Sequence, residues 1–348
     1  MKIALIAPPF ISVPPKNYGG TELFLAELCA GLAEREIDVT LYTNGESRTP
    51  VPMKWIYEKE EWPVSGDLEL SLKAANHVAW AVHDAVDYAD IIHMNSARGI
   101  PLTRFCRAPV VYTVHHPFEQ SLADFYALYP QIWYVTISHF QKDQLGLPRM
   151  RNIHHGVDLS KYRFRKNKQD YLCFLGRVAP PKGTHIAIEI ARRAGIPLKI
   201  AGEIQPAYQD YWQTMVKPKV DGRFIEFLGE VDLEEKNELL ANARAMLFPI
   251  QWDEPFGLVL VESMACGTPV LAMPGGSVGE IVKEGVSGCV RSSAPELADC
   301  AVNCAFDPAG VRRHAETYFS RERMVQDYLE LYQAILRDQI PAEVHGAA

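Results

Sequence analysis

Glu254-Pro255-Phe256-Gly257-Leu258-Val259-Leu260-Val261-Glu262-Ser263-Met264-Ala265-Cys266-Gly267-Thr268-Pro269-Val270 decides the fold. Pro255 and Gly257 set a turn, Leu258–Ala265 is an apolar helical run, and Pro269–Leu271 opens a new apolar stretch. Ala245–Phe248, just upstream, has the length and composition of a buried strand. Strand, turn, helix and strand in that order make a crossover, which places the two strands parallel in one sheet. The first-turn amides of Gly257, Leu258 and Val259 then have no intrahelical acceptor, and the helix dipole adds to them, so the turn is a ready anion site. Glu254 sits on the turn and Glu262 on the helix, so both carboxylates can lie along one ligand about a nucleotide sugar long. Each carboxylate accepts two hydrogen bonds, which suits sugar hydroxyls. A capping acid and a surface acid on an ordinary helix explain the same residues without a ligand.

The same alternation of short apolar runs and helical stretches extends both ways, which predicts an α/β protein built on parallel sheets. Upstream, strands are expected near Lys2–Ala7, Val39–Thr43, Ile91–Met94, Val110–Val114, Trp133–Ile137 and Asn152–His154. Helices fit Thr21–Arg35, with Thr21 as cap and Glu22 against the dipole, and Leu70–Tyr88. The pattern then restarts, with strands near Tyr171–Leu175, Leu198–Ala201, Ile225–Leu228, Ala245–Phe248, Pro269–Leu271 and Gly288–Val290, and helices at Thr184–Ala194, Glu234–Ala243, Leu258–Ala265 and Pro295–Ala305. Asp158–Asp170, with Lys161, Arg163, Arg165, Lys166 and Lys168, lacks apolar periodicity and reads as a solvated connector. Two Rossmann-like domains are therefore expected, at 1–157 and 158–318. Their ligand is expected in a cleft where the strand ends face each other. A last helix, Arg321–Arg337, fits either domain as its dock.

Composition narrows the function. The 348 residues suit two domains; 48% hydrophobic and 22% charged residues are those of a globular chain, and no apolar run is long enough to span a bilayer. A net charge of −8 with no strongly basic segment argues against duplex nucleic acid and anionic membrane as partners. The opening Met1–Pro9 reads as a buried strand rather than a signal peptide. Seven scattered cysteines without a CxxC pair read as reduced thiols of a cytoplasmic protein, and although Cys300 and Cys304 share a helix face, two thiols make a poor metal site.

Three further stretches carry chemistry. Leu175-Gly176-Arg177-Val178-Ala179-Pro180-Pro181-Lys182-Gly183-Thr184 is a strand, a turn and a helix start; Arg177 as a fork and Lys182 as a point charge can reach one diphosphate. The glycine spacing is not that of a Walker A loop. Tyr18-Gly19-Gly20-Thr21-Glu22 opens the first helix and lets backbone approach a ligand closely, without the GxGxxG of dinucleotide binding. Thr113-Val114-His115-His116-Pro117 puts two histidines at a strand's C-terminal end, and Ser138-His139 repeats that position more weakly. Each has a structural alternative: exposed cations on a loop, a capped helix, or a satisfied histidine pair. No third ligand completes a zinc site, and no Asp-x-Asp pair is present to hold a metal–diphosphate complex.

Taken in this order, the stretches resemble the retaining glycosyltransferases of family 4, which have the GT-B fold. The resemblance rests on Gly19-Gly20-Thr21-Glu22, Thr113-Val114-His115, Val135-Thr136-Ile137-Ser138, His155-Gly156-Val157-Asp158, Gly176-Arg177 with Lys182-Gly183, Phe227-Leu228-Gly229 and Glu254–Val270. Tyr318-Phe319-Ser320 and the helix after it resemble the family's crossover segment, about 319–337, which returns to the first domain. His155 stands where the family usually has Asn, and the Ile11–Tyr18 loop is long.

The resemblance implies a hexosyltransferase that uses a nucleotide diphosphate sugar, UDP-linked by preference or GDP-linked, and no metal or other cofactor. It makes Arg177 and Lys182 the holders of the diphosphate. Glu254 meets the transferred sugar, the amides of Gly257, Leu258 and Val259 meet sugar and phosphate, and Glu262 binds the ribose. Gly19 and Gly20 close over the phosphates, His115 lies by the reacting sugar, and Gly229 belongs to the donor site. The acceptor stays open, whether saccharide, lipid-linked or small molecule; a lipid-linked acceptor would make a cytoplasmic enzyme peripheral to the membrane. Trp55, Trp62, Trp80 and His83 lie in the acceptor-side half, where core packing suits most of them. Rival readings are a nucleotide-sugar epimerase or hydrolase of the same fold, a non-catalytic two-domain sugar or anion binder, and a dehydrogenase.

Overall fold

A computed structural model describes residues 1–16, 19–62, 68–303 and 305–337. The chain forms two compact units: Met1–Gly156 together with the segment from Arg321 onward, and Val157–Ser320.

Unit 1 is built on seven parallel strands, β1 (Lys2–Ile6), β2 (Asp38–Tyr42), β3 (Met53–Lys54), β4 (Ile91–Met94), β5 (Val110–Val114), β6 (Trp133–Thr136) and β7 (Met150–Asn152), in the order β3-β2-β1-β4-β5-β6-β7. Its helices include α1 (Gly20–Ala33), α2 (Leu68–Ala85), α3 (Gln120–Ala127) and α4 (His139–Leu145). The central strands are buried along their whole length because helices cover both faces, which is why they read as continuous apolar runs. The exception in sequence, His93 in β4, meets the Tyr332 hydroxyl through Nδ1 at 2.6 Å and Thr113 Oγ1 through Nε2 at 2.8 Å. That double partner explains how a polar ring sits in the core.

Unit 2 carries six parallel strands, β8 (Leu172–Leu175), β9 (Leu198–Ala201), β10 (Ile225–Gly229), β11 (Ala245–Phe248), β12 (Val270–Ala272) and β13 (Gly288–Val290), in the order β10-β9-β8-β11-β12-β13. Around them lie α5 (Thr184–Ala194), α6 (Gln209–Tyr211), α7 (Leu233–Asn242), α8 (Leu258–Ala265), α9 (Val278–Ile281), α10 (Ala294–Asn303) and α11 (Pro308–Tyr318). The last helix, α12 (Arg321–Leu336), belongs to unit 1. It packs Met324, Val325, Tyr328 and Tyr332 into the same core as α1, where a Cβ on Gly31 would come within 2.4 Å of Val325 Cγ2.

Each sheet reverses direction once. Unit 1 steps outward from β1 to β2 and β3, then resumes on the other side of β1 with β4; unit 2 does the same at β8 and β11. The loops after these strands part to opposite faces, and the gap at their C-terminal ends is where such sheets bind ligands.

Several expectations are corrected. Thr21 lies inside α1, whose N-cap is Gly19, and no side chain caps the helix. The Asp158–Asp170 stretch is no solvated connector. Tyr162 is buried, Arg163 and Arg165 both pair with Glu238, and Lys168 Nζ donates to the carbonyls of Ala241 and Cys266 and to Thr268 Oγ1. A run of cations without apolar period looks solvated; here its charges meet helix C-terminal carbonyls and the acids of α7. Trp55 and Trp62 are exposed rather than core residues, His83 is exposed too, and Trp80 is half-buried against Tyr42 and His77. Cys29, Cys173, Cys266, Cys289 and Cys300 are buried free thiols and Cys106 is half-buried; Cys304 and Tyr18 lie outside the described residues.

Candidate functional site

The loops that follow β8 and β11 flank the reversal of the unit 2 sheet, and backbone contacts lock them together. Gln251 N–H donates to the Pro181 carbonyl at 2.8 Å. Gly183, at φ +72°, sits so close to Pro249 that a Cβ there would be 1.9 Å from its carbonyl oxygen. Only glycine has both the backbone freedom and the missing side chain this contact requires. The Glu254 carbonyl is in turn taken by Ser277 N–H, and Asp253 Oδ1 accepts from Gly276 N–H.

This packing joins Lys182 and Glu254, which are far apart in sequence. The ammonium lies 2.6 Å from Glu254 Oε2, and both side chains are nearly sealed from water, at 12% and 10% exposed. Burial pulls the Lys182 ammonium below its usual value, and the neighbouring Arg177 pushes it the same way, while Glu254 opposes both. The Trp252 indole N–H donates to the same Glu254 oxygen at 3.0 Å, and the ammonium stands 4.5 Å from the Trp252 ring centroid. Arg177 Nη1 reaches Gln205 Oε1 on the loop after β9 at 3.4 Å.

Helix α8 begins one turn further on. Gly257 is its N-cap at φ +82°, with no side chain capping the helix, and among the described residues nothing accepts from the amides of Leu258 and Val259. Glu262 is buried. Its Oε1 receives the Lys236 ammonium at 2.5 Å and the Tyr162 hydroxyl at 2.8 Å. Gly229 ends β10 at φ +77°, and its carbonyl accepts from Gly202 N–H. Among the expected donor residues, the structure thus joins Lys182 to Glu254 directly, sets Arg177 beside Lys182, and gives Glu262 separate partners.

Gly19, Gly20 and His115 belong to unit 1. Gly19 and Gly20 open α1 after β1, and His115 follows β5. One turn into α1, Phe24 packs 5.1 Å from the His115 ring and 4.7 Å from that of His155. His115 Nε2 meets Asn95 Oδ1 at 2.9 Å, so this nitrogen carries the proton; burial pushes the ring down to about 3, and it is neutral at physiological pH. His155 stacks on His115 at 5.5 Å and is likewise held neutral by burial. His116 is bonded to Tyr126 and the Pro117 carbonyl, a structural arrangement. Glu22, in the first turn of α1, is a buried carboxylate whose pKa rises to about 7 through loss of hydration.

Sequence reasoning missed Trp252, Lys236, Tyr162 and Asn95. Trp252 alone carried a signal, lying two residues before Glu254; the others depend on contacts between distant segments. Among the described residues no group of three or more His, Cys, Asp or Glu side chains is arranged to hold a metal ion, and no helix is long and apolar enough to cross a membrane.

Residues 18–161 match the family model of glycosyltransferase family 4, and residues 159–299 that of glycosyl transferases group 1. The chain belongs to the family 4-like glycosyltransferases and has the GT-B fold. Among curated relatives, this glycosyltransferase is 30% identical to the glycogen synthase of Mycobacterium tuberculosis over 211 residues, 56% of the chain and 50% of the relative. The chain thus spans about half the length of that protein. Among solved structures, AviGT4, a glycosyltransferase of avilamycin A biosynthesis, is 25% identical with a TM-score of 0.71 over 97% of this chain and 98% of the other. Anabaena HepE in complex with UDP-glucose shares the fold at 20% identity and TM-score 0.75, over 96% and 100%.

Proposed function

We propose that the chain transfers a hexose from a nucleotide diphosphate sugar, UDP-linked by preference, to an acceptor held by unit 1, with retention at the anomeric carbon. The observation that carries this reading is the buried Lys182 ammonium at the sheet reversal of unit 2, beside Arg177 and paired with Glu254, which lies one turn before the uncapped start of α8. Two cations and a helix N-terminus together suit a pyrophosphate. HepE, which shares the fold, binds UDP-glucose.

In this reading the bond between the anomeric carbon and the diphosphate oxygen breaks, and its electron pair stays with the diphosphate. The acceptor oxygen bonds the same face of the sugar, and its proton passes to the departing phosphate. Arg177, Lys182 and the α8 amides stabilise charge that grows during the step, so they act more on the transition state than on the bound donor. Glu254 meets the transferred sugar, where positive charge develops, and Glu262 the ribose hydroxyls. No metal takes part.

The test is a thermal-shift panel of UDP-, GDP- and ADP-hexoses. A donor at a hundred times its dissociation constant stabilises the folded chain by about 2.7 kcal/mol. Lys182→Ala removes the shift, and where turnover is measured it costs about 2.7–4 kcal/mol of barrier, as for a lost oxyanion donor. If both Lys182→Ala and Arg177→Ala keep the full shift and near-normal turnover, the diphosphate assignment is wrong.

A further inference from the structure

Both carboxylates of the Glu254–Glu262 stretch are held in the same way. Each uses one oxygen to receive an ammonium and a neutral aromatic donor: Lys182 and the Trp252 indole for Glu254, Lys236 and the Tyr162 hydroxyl for Glu262. No described residue donates to the other oxygen of either group. One edge of each carboxylate is fixed, and the other is left for a ligand hydroxyl.

The two sites differ in what a donor does to the ammonium. Lys182 is the cation assigned to the diphosphate, and a diphosphate outcompetes a single carboxylate for it. When the ammonium turns to phosphate, Glu254 loses its charged partner while still enclosed in protein. A buried carboxylate left without a donor is costly and shifts toward another partner.

We propose that Trp252 is the positioning residue that prevents this. Its indole N–H carries no charge for phosphate to draw away. It can only donate, so it holds Oε2 in place, with Oε1 turned toward the transferred sugar. The Trp252 face, 4.5 Å from the ammonium, also gives Lys182 a resting place that favours the cation without binding it covalently or by charge. Trp252 thus links occupation of the diphosphate site to readiness of the sugar site. This inference rests on the donor reading above.

The experiment compares the affinity for a nucleotide sugar with that for its nucleoside diphosphate, by calorimetric titration, using the UDP, GDP or ADP pair that the wild type binds best. The ratio isolates what the sugar contributes. Trp252→Phe keeps an aromatic face, smaller than the indole, and removes the N–H; it lowers the ratio about tenfold, the loss of one hydrogen bond to a charged group. Glu254→Ala lowers it similarly, and the double variant is no worse than Glu254→Ala alone, because Trp252 acts through Glu254. Trp252→His, which keeps a ring N–H, recovers part of the loss, and serves against Trp252→Leu should the phenylalanine variant not fold. A wild-type ratio in Trp252→Phe, or losses that multiply in the double variant, overturns the proposal. A wild type that binds none of the pairs is a different result and removes the donor reading itself.

Discussion

Glu22 offers a sharp test of the electrostatics at the start of α1. Its carboxylate packs against Gly19, with Oε2 2.9 Å from where a Cβ of that residue would stand, and burial raises its pKa from 4.5 to about 7. The folded chain therefore binds this proton more tightly than the unfolded chain does. Between pH 4.5 and 7 the folded state carries more protons, so the group's contribution to stability falls as pH rises and levels off above pH 7. At 1.36 kcal/mol per unit, the full penalty approaches about 3 kcal/mol, most of which accrues between pH 5 and pH 8.5. Glu22→Gln keeps the shape and removes the titration. Urea denaturation of both proteins at pH 5, 6, 7 and 8.5 measures the difference, and all other titrations cancel between them. The glutamine variant is close to wild type at pH 5 and gains about 2–3 kcal/mol on it by pH 8.5. A difference that stays constant with pH, or that favours wild type as pH rises, refutes the account of Glu22 as a desolvated acid.

Two further outcomes follow from the unit 2 loops. Gly183→Ala must place a Cβ 1.9 Å from the Pro249 oxygen at φ +72°, whereas Gly195→Ala, at φ +68°, meets nothing within 4 Å. The second costs about 1–2 kcal/mol for the left-handed backbone alone, the first clearly more, and only the first weakens UDP binding; equal losses in urea denaturation would falsify the locked-loop description. If Arg177, Lys182 and the α8 amides are the partners of the diphosphate, excess EDTA leaves the calorimetric affinity for UDP within about twofold of its value without chelator; a larger loss assigns part of that charge to a metal.

Legibility followed the kind of contact that decides each feature. β4, β5, β9, β11, β13, α5 and α8 have the ends expected from sequence, because the strands and α8 are short, mostly apolar runs and the amphipathic α5 is bounded by Gly183 and Gly195, both signals that are local. β3 has only two residues, too short to leave a period, and α3, α4 and α11 escaped because they are short or mostly polar outside a few buried positions. The Asp158–Asp170 stretch shows the limit most clearly: Arg163, Arg165 and Lys168 look solvated until α7 and the carbonyl ends of α7 and α8 are placed beside them.

The candidate site divides along the same line. That Arg177, Lys182, Glu254 and Glu262 are candidate site residues is readable from their turns, but that Lys182 rests on Glu254 is not, because the contact depends on two loops 72 positions apart in sequence. The contact changes how the residues must work. In the proposed reading, a cation and a carboxylate given separate tasks on one ligand begin as each other's partners, so binding the diphosphate must first part them. On that reading the energy that parts them comes from the phosphate's stronger hold on the ammonium. What the chain itself must supply is a second donor for the acid left behind, and Trp252 is the described residue whose N–H already points at that oxygen.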